Sequence, residues 1–209
     1  MAIRAFFPTL IYHRRLGLPA TGRLARDLAD ECAALALSDA AGRRWSERNY
    51  LGGYTSYGSH DRLHLVSSLF AGLRRRIDPH VRAFARRLGC ETGGRPLAMT
   101  DCWVNVMPAG VVHSLHIHPG SAISGTYYVA VPHGAGALKF EDPRLSRMMA
   151  APPRKGGHHV AVPARAGDLI LFESWLRHEV PPARFAGDRV SISFNYAPVQ
   201  ASVARSRRS

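Results

Sequence analysis

The stretch HSLHIHPGS, residues 113–121, carries three imidazoles. His116 and His118 are separated by one residue, so on a β-strand both project from the same face. Two imidazoles on one face can hold a single divalent ion. His113 lies an odd number of positions from both, and in a regular strand it would face the other way. A further imidazole arrives in PARAGDLILFESWLRHEV, where Pro163 and Gly167-Asp168 turn into an apolar strand and His178 stands just beyond its end. Neutral imidazoles from two such places suit a metal site with open coordination positions. Arg189 then opens the strand RVSISFN. A guanidinium facing inward from a strand is costly to bury unless it meets an anion, and a carboxylate is its obvious bidentate partner.

The elements that must position these groups change character near residue 100. After it come short apolar runs punctuated by Gly and Pro: DCWVNVMP, SGTYYVAVP, GALKFED, HHVAVPA, GDLILFES and RVSISFNYAP. Evenly spaced short strands of this kind predict an antiparallel sandwich or barrel. Before residue 100 helical spacing dominates. Leu24, Leu28, Cys32 and Leu35 form one stripe; Leu69, Leu73, Ile77, Val81, Phe84 and Leu88 form another. Asp78-Pro79 would either kink the second helix or cap a new one, and Gly89 is a plausible stop. Between the helices, NYLGGYTSYGSHDR reads as an irregular segment or short strands. The expectation is one α+β domain, mainly β, over residues 1–209. Residues 1–97 would be a helical support region, 98–200 the β core and 201–209 a basic tail.

A chain of 209 residues can bury a sizeable core, and 46% hydrophobic with 21% charged residues is ordinary for a globular protein. No run approaches the length of a bilayer span, and AFFPTLIY, broken by Pro8, does not read as a signal peptide. Cys32, Cys90 and Cys102 are widely spaced and form no CxxC pair, so a reducing cytoplasm is the default location. The net charge of +13 invites a nucleic-acid reading. However, 26 of the 28 basic residues are Arg, no basic run is interleaved with aromatics, and no helix-turn-helix or RNA-binding signature occurs. Solvated arginines on helix faces and an ARSRRS tail explain the charge, and nucleic acid is not an expected partner.

Taken in order, HIHPGS, SGTYY, FEDPR, GDLILFESWLRH and RVSISFN resemble the bacterial branch of the 2-oxoglutarate- and Fe(II)-dependent oxygenases. Members of that family fold as a double-stranded β-helix, the jelly roll shared with cupins. The resemblance covers most of residues 98–198 and extends weakly to FPTLIY and to GGYTS at 52–56. It implies that His116 is the first iron ligand, His178 the last, and Arg189 the anchor for the distal carboxylate of 2-oxoglutarate. Tyr128 would set its hydroxyl against that carboxylate, with Ser191 sharing the anion and Asn105 a weaker cosubstrate contact. No catalytic residue separate from the metal ligands is implied. Fe(II) and 2-oxoglutarate would carry the chemistry, with a hydroxylated product and succinate as outcome.

One departure stands out. Where the family usually has an acidic ligand, this sequence has His118. A site of His116, His118 and His178 carries one negative charge fewer, which weakens Fe(II) affinity and alters its redox behaviour. Glu141 or Asp142 could supply a carboxylate from the next strand, but FEDPR reads more simply as a strand ending in an Asp-Pro turn. Trp103, Tyr127, Trp175 and Phe194 could line the pocket, although aromatic strand residues are more often core. His158 and His159 fall in a loop that could form a lid, while His60, His64, His80 and His133 read as surface or structural.

The expected partners are O2 and a small-molecule or peptide substrate, with no membrane and with a homodimer as the assembly to test. One alternative is a cupin-type three-His metal enzyme that does not use 2-oxoglutarate. Gly110, five residues, then His116-x-His118 opens a cupin motif, but Ala122 and Ile123 stand where its glutamate is expected. Another is a non-catalytic basic binding module on the same fold.

Overall fold

A computed structural model describes residues 3–17, 22–153 and 155–200. The basic tail at 201–209 lies outside the described residues. Strand β10 (Arg189–Pro198) runs antiparallel between β3 (Leu97–Met107) and β5 (Ile123–Ala130). With β1 (Tyr12–Arg15), β2 (Tyr54–Thr55) and β8 (Asp168–Glu173) they form a six-stranded sheet in the order β1-β8-β5-β10-β3-β2. A second sheet, in the order β4-β9-β6-β7, contains β4 (His113–His116), β6 (Leu138–Glu141), β7 (His159–Val162) and β9 (His178–Val180). Every pairing between these strands is antiparallel, and the two sheets are the expected double-stranded β-helix.

The two-residue period of the large sheet sorts its side chains between two interiors. Val104, Ile123, Tyr127, Leu169, Leu171, Ile192, Phe194 and Tyr196 pack outward against helices α1 (Arg23–Ser38) and α4 (Ser68–Leu88). Leu28, Cys32, Phe70, Leu73, Ile77 and Val81 meet them there, each at most 1% exposed. Burying such a side chain contributes roughly 1.5–3 kcal/mol, so this layer anchors the large sheet. The other face, with Met107, Tyr128, Ile170 and Phe172, looks into the space between the sheets, where Phe140 and Val180 of the small sheet complete a second cluster. Tyr127 and Phe194 are therefore helix-side core, Trp175 is 49% exposed, and of the four aromatics considered only Trp103 reaches the interior pocket.

The helical stripes form as the spacing predicts. α4 runs through Pro79 as one helix, so Pro79 does not start a new one. Its ends are capped by Ser67, whose Oγ accepts from the Phe70 amide, and by Gly89, whose φ of 70° is left-handed. Helix α2 (Ala40–Asn49) was not expected, because AAGRRWSERN buries only Gly42 and Ser46 and shows no apolar stripe. It is held at its start by Asp39, whose side chain accepts from the Gly42 amide. Two short helices, α3 (Leu63–Val66) and α5 (Leu145–Ala150), complete the fold. Among the described residues no helix is long and apolar enough to cross a membrane.

Gly125 lies where β5 meets its two neighbours. An added Cβ would come within 2.6 Å of Leu171 Cδ2 and 2.7 Å of the Phe194 ring. Gly125→Ala should therefore destabilise the protein by about 1–3 kcal/mol, read as a lower denaturant midpoint at unchanged slope.

Candidate metal centre

Strands β4 and β9 pair so that His116 stands opposite His178, and His118 follows two residues beyond His116 with its amide donating to the Ser174 carbonyl at 2.9 Å. The three side chains each bring one ring nitrogen into a group whose members all lie within 4.8 Å of one another. The Nε2 atoms of His118 and His178 are 3.2 Å apart. The backbone fixes which nitrogen faces the centre. His116 Nδ1 lies 2.6 Å from the Ser114 carbonyl and His178 Nδ1 lies 2.8 Å from the Leu176 carbonyl. A carbonyl oxygen only accepts, so both Nδ1 atoms carry the proton and both Nε2 lone pairs point inward.

Burial holds the rings neutral. It pushes His178 down to about 2 and His118 to about 4, with the neighbouring imidazoles adding to the shift. His116 is lowered by burial as well. Neutral imidazoles with bare Nε2 atoms are the form that binds a divalent metal, so this donor set fits iron. A metal here would keep coordination positions for other ligands, since three protein nitrogens fill only part of its shell.

No carboxylate among the described residues joins the cluster. Glu141 pairs with Arg177 at 2.6 Å, and Glu179 pairs with Lys139 at 2.9 Å. Asp142 accepts from Arg144 at 2.8 Å and also pairs with Arg147; these bonds, Arg144's first, hold its carboxyl well below the usual range. FEDPR is thus the strand-and-turn the simpler reading expected. His158 and His159 border a separate groove of about 620 Å³ beside β6 and β7, away from the three histidines.

The expected orientation of His113 is corrected. The register shifts between His113 and His116, and this bulge turns His113 to the same side, where its ring stacks on His116 with centroids 4.5 Å apart. The other face of His113 meets Tyr50 at 5.2 Å. Burial pushes His113 down to about 3, helped by His116 and by the charge of Arg189.

Arg189 is 3% exposed. Its Nη1 reaches Met107 Sδ at 3.2 Å, and its Cζ lies 5.0 Å from the centre of the Tyr128 ring. A thioether and a ring face are weak company for a buried cation. Around it, Arg189 Nε, the hydroxyls of Tyr128 and Tyr50, and Asn105 Oδ1 are buried with no hydrogen-bond partner among the described residues. Ser191 is 2% exposed and stands opposite both Asn105 and Tyr128 in register. Asn105 Nδ2 donates to Ser193 Oγ at 3.1 Å. Arg189, Asn105 and Ser191 line one narrow pocket with all three histidines of the cluster. A cation and two orphaned hydroxyls beside a metal donor set match one end of a dicarboxylate.

Residues 101–195 match the family model described as "Putative 2OG-Fe(II) oxygenase". That segment matches the 2OG-Fe(II) oxygenases. Its fold is also that of several solved relatives. A Pseudomonas putida prolyl-4-hydroxylase is 19% identical with a TM-score of 0.62, over 91% of this chain and 94% of that one. The epimerase SnoN from nogalamycin biosynthesis, solved with Fe3+ and alpha ketoglutarate, is 19% identical with a TM-score of 0.65, over 91% and 79%. HygX from Streptomyces hygroscopicus, solved with nickel, 2-oxoglutarate and hygromycin B, is 15% identical with a TM-score of 0.65, over 92% and 84%. Among curated proteins none matches the sequence. The oxygenase is thus an enzyme that depends on Fe(II) and 2-oxoglutarate, acting with O2 on a small molecule or peptide.

Sequence reasoning missed Tyr50 and the placement of His113. The bulge leaves no mark in HSLH, whereas the two glycines after Tyr50 do carry a signal. A Cβ on Gly53 would fall 2.6 Å from the Tyr50 ring, so glycine there makes room for it.

The lowered imidazoles set a pH dependence. A histidine neutral in the fold but titrating near its ordinary value of 6.5 when unfolded binds a proton only in the unfolded state between those two values. The metal-free oxygenase should therefore be fully stable above about pH 6.5 and lose stability as the pH falls toward 4. Thermal melts at pH 7.5, 6 and 5 check this, and an unchanged Tm across them would contradict it.

Proposed function

We propose that His116, His118 and His178 bind Fe(II) through Nε2, and that Arg189 binds the distal carboxylate of 2-oxoglutarate together with the hydroxyls of Tyr128 and Tyr50. The observation that carries this reading is a guanidinium 3% exposed and in no ion pair among the described residues, in the pocket that the three imidazoles line, where Glu179 is paired with Lys139. Iron and cosubstrate, when bound, would use O2 as the oxidant, one oxygen atom hydroxylating a C–H bond of the substrate and the other entering succinate as 2-oxoglutarate loses carbon dioxide. The protein supplies geometry. Carbonyls of Ser114 and Leu176 hold two imidazoles in the ligating tautomer. Arg189, held against Met107 and the Tyr128 ring, would bind the carboxylate where it lines the pocket, and Ser191 offers a further hydroxyl beside it. Asn105 keeps the pocket wall in register through Ser193 and turns a polar edge inward. Phe172 and Leu138 close the pocket against water.

The same reading takes residues 1–209 as one domain, since β1 and β2 of the N-terminal part complete the large sheet beside β8 and β3. A cytoplasmic location is supported by three free cysteines, two of them buried. Nothing in the site calls for nucleic acid, and light scattering decides between a monomer and a homodimer.

Metal-free protein, reconstituted with Fe(II) under nitrogen and titrated with 2-oxoglutarate, should develop a saturable visible charge-transfer band. His178→Ala should abolish it. Arg189→Ala should weaken cosubstrate binding by at least a hundredfold. Tyr50→Phe and Tyr128→Phe each remove a hydrogen bond to a charged group, about 1.5–3 kcal/mol, and should weaken binding on the order of 10–100-fold. Iron bound without any band would sink this reading and favour a three-His metal enzyme indifferent to 2-oxoglutarate.

A further inference from the structure

The substrate of this oxygenase is the open question, and the wall facing the histidines speaks to it. Beside the cluster lies a cleft of about 280 Å³, bounded by Trp45, Asn49, Tyr50, Thr55, Tyr57 and Trp103 on one side. The strand-and-turn segment from Val112 to His118 forms the other. Its size is near the lower end of ligand sites, roughly 300–1,000 Å³, and suits a group as large as one amino-acid residue.

The wall is built and held. Asp39 ties α2 to the following loop, accepting from the Gly42 amide at 2.8 Å, from the Tyr54 hydroxyl at 2.9 Å and from Ser59 Oγ. Gly58 lets the Trp45 ring lie against the loop backbone, because a Cβ there would sit 2.3 Å from the indole. From Trp45 a series of rings leads inward: Tyr57 edge-on at 6.2 Å, Trp103 edge-on at 5.1 Å from Tyr57, and His118 tilted at 5.8 Å from Trp103. The series ends at the metal donor set.

Three features of this lining restrict what can enter. Although the chain carries a net charge of +13, no Asp, Glu, Lys or Arg lines the cleft among the described residues. An ammonium or carboxylate on the entering group would lose its water against aromatic faces with no partner in return. Polar side chains are few and partly engaged: Asn49 Nδ2 donates to the Trp45 carbonyl at 2.8 Å, and Thr55 Oγ1 accepts from the Tyr57 amide at 3.3 Å. That leaves too few partners for the hydroxyls of a sugar. The rim is apolar, with Val112, Ile117 and Tyr57 exposed by 41, 42 and 49%. A chain running out of the cleft would cross those side chains.

We infer that this cleft receives an uncharged aliphatic side chain presented within an amide-linked chain, and that free amino acids, organic acids and glycosides are not its substrates. The inference rests on the proposed iron and cosubstrate site for its chemistry, but binding to the cleft can be read without either. The test uses metal-free protein carrying Trp175→Phe, which leaves Trp45 and Trp103 as the tryptophan reporters. N-acetyl-leucine amide should change their fluorescence saturably, binding at least tenfold more tightly than N-acetyl-glycine amide, free leucine or methyl glucoside. Tyr57→Ala should weaken the leucine probe at least tenfold while leaving the affinity of the iron-loaded protein for 2-oxoglutarate unchanged. Free leucine or the glycoside binding as tightly as the capped leucine, or no saturable response to any probe, would overturn the inference. So would a Tyr57→Ala protein that binds the leucine probe normally. If the charge-transfer band fails to form while the capped leucine still binds, the cosubstrate reading falls and the cleft's selectivity stands.

Discussion

Strand β10 has to serve two interiors at once, and most of the molecule follows from how it does so. It lies in the middle of the large sheet with both edges paired, one face against the helices and the other toward the site. Ile192, Phe194 and Tyr196 are at most 1% exposed against the helices, while Arg189, Ser191 and Ser193 alternate with them and face the site. The pleat enforces this strict division. A one-residue slip would drive a guanidinium into the helix-side core and a phenylalanine ring into the pocket. Register is therefore specified by an apolar layer and a cation together, and the site inherits its precision from the core behind it.

The electrostatics of the site run against the simplest form of this chemistry. Three imidazoles and a guanidinium converge with no carboxylate among the described residues in their cluster, and the one acidic residue lining the pocket, Glu179, is paired with Lys139. The fold manages this by keeping the imidazoles uncharged. Burial and mutual repulsion lower them together, and backbone carbonyls take up the Nδ1 protons of His116 and His178. Among the described residues lining the pocket the unpaired charge is Arg189, softened by the Tyr128 ring and the Met107 sulfur. A dianionic cosubstrate brings the negative charge that an acidic ligand would otherwise contribute.

Much of this was legible in the sequence because it is periodic. The strands of the large sheet alternate or run fully apolar between turn residues, and α1 and α4 carry clear stripes. His116, His118 and Arg189 could be paired with a strand face by counting. What was not legible depends on departures from period. The bulge in β4 reverses His113, and no residue type in HSLH announces it. Helix α2 is polar on nearly every face and exists because Asp39 caps it and a glycine loop folds back on it. Tyr50 and Trp45 enter the site from that helix and its end, so their role follows from a tertiary clip. The short strands β4 and β9 have too few residues to show a pattern, although they carry two of the three ring nitrogens.

The strand at the centre of the large sheet is also the latest of the ten in chain order. Until it arrives, β3 and β5 hold open edges toward each other across a gap one strand wide. Such edges invite pairing with other chains, and closing contacts between residues so distant in sequence is slow. The guanidinium at the start of β10 enters the nascent interior only with that closing event. Assembly of the fold and completion of the anion site are thus one step: a chain arrested short of it would display imidazoles on an unfinished scaffold and expose apolar strand edges to its neighbours.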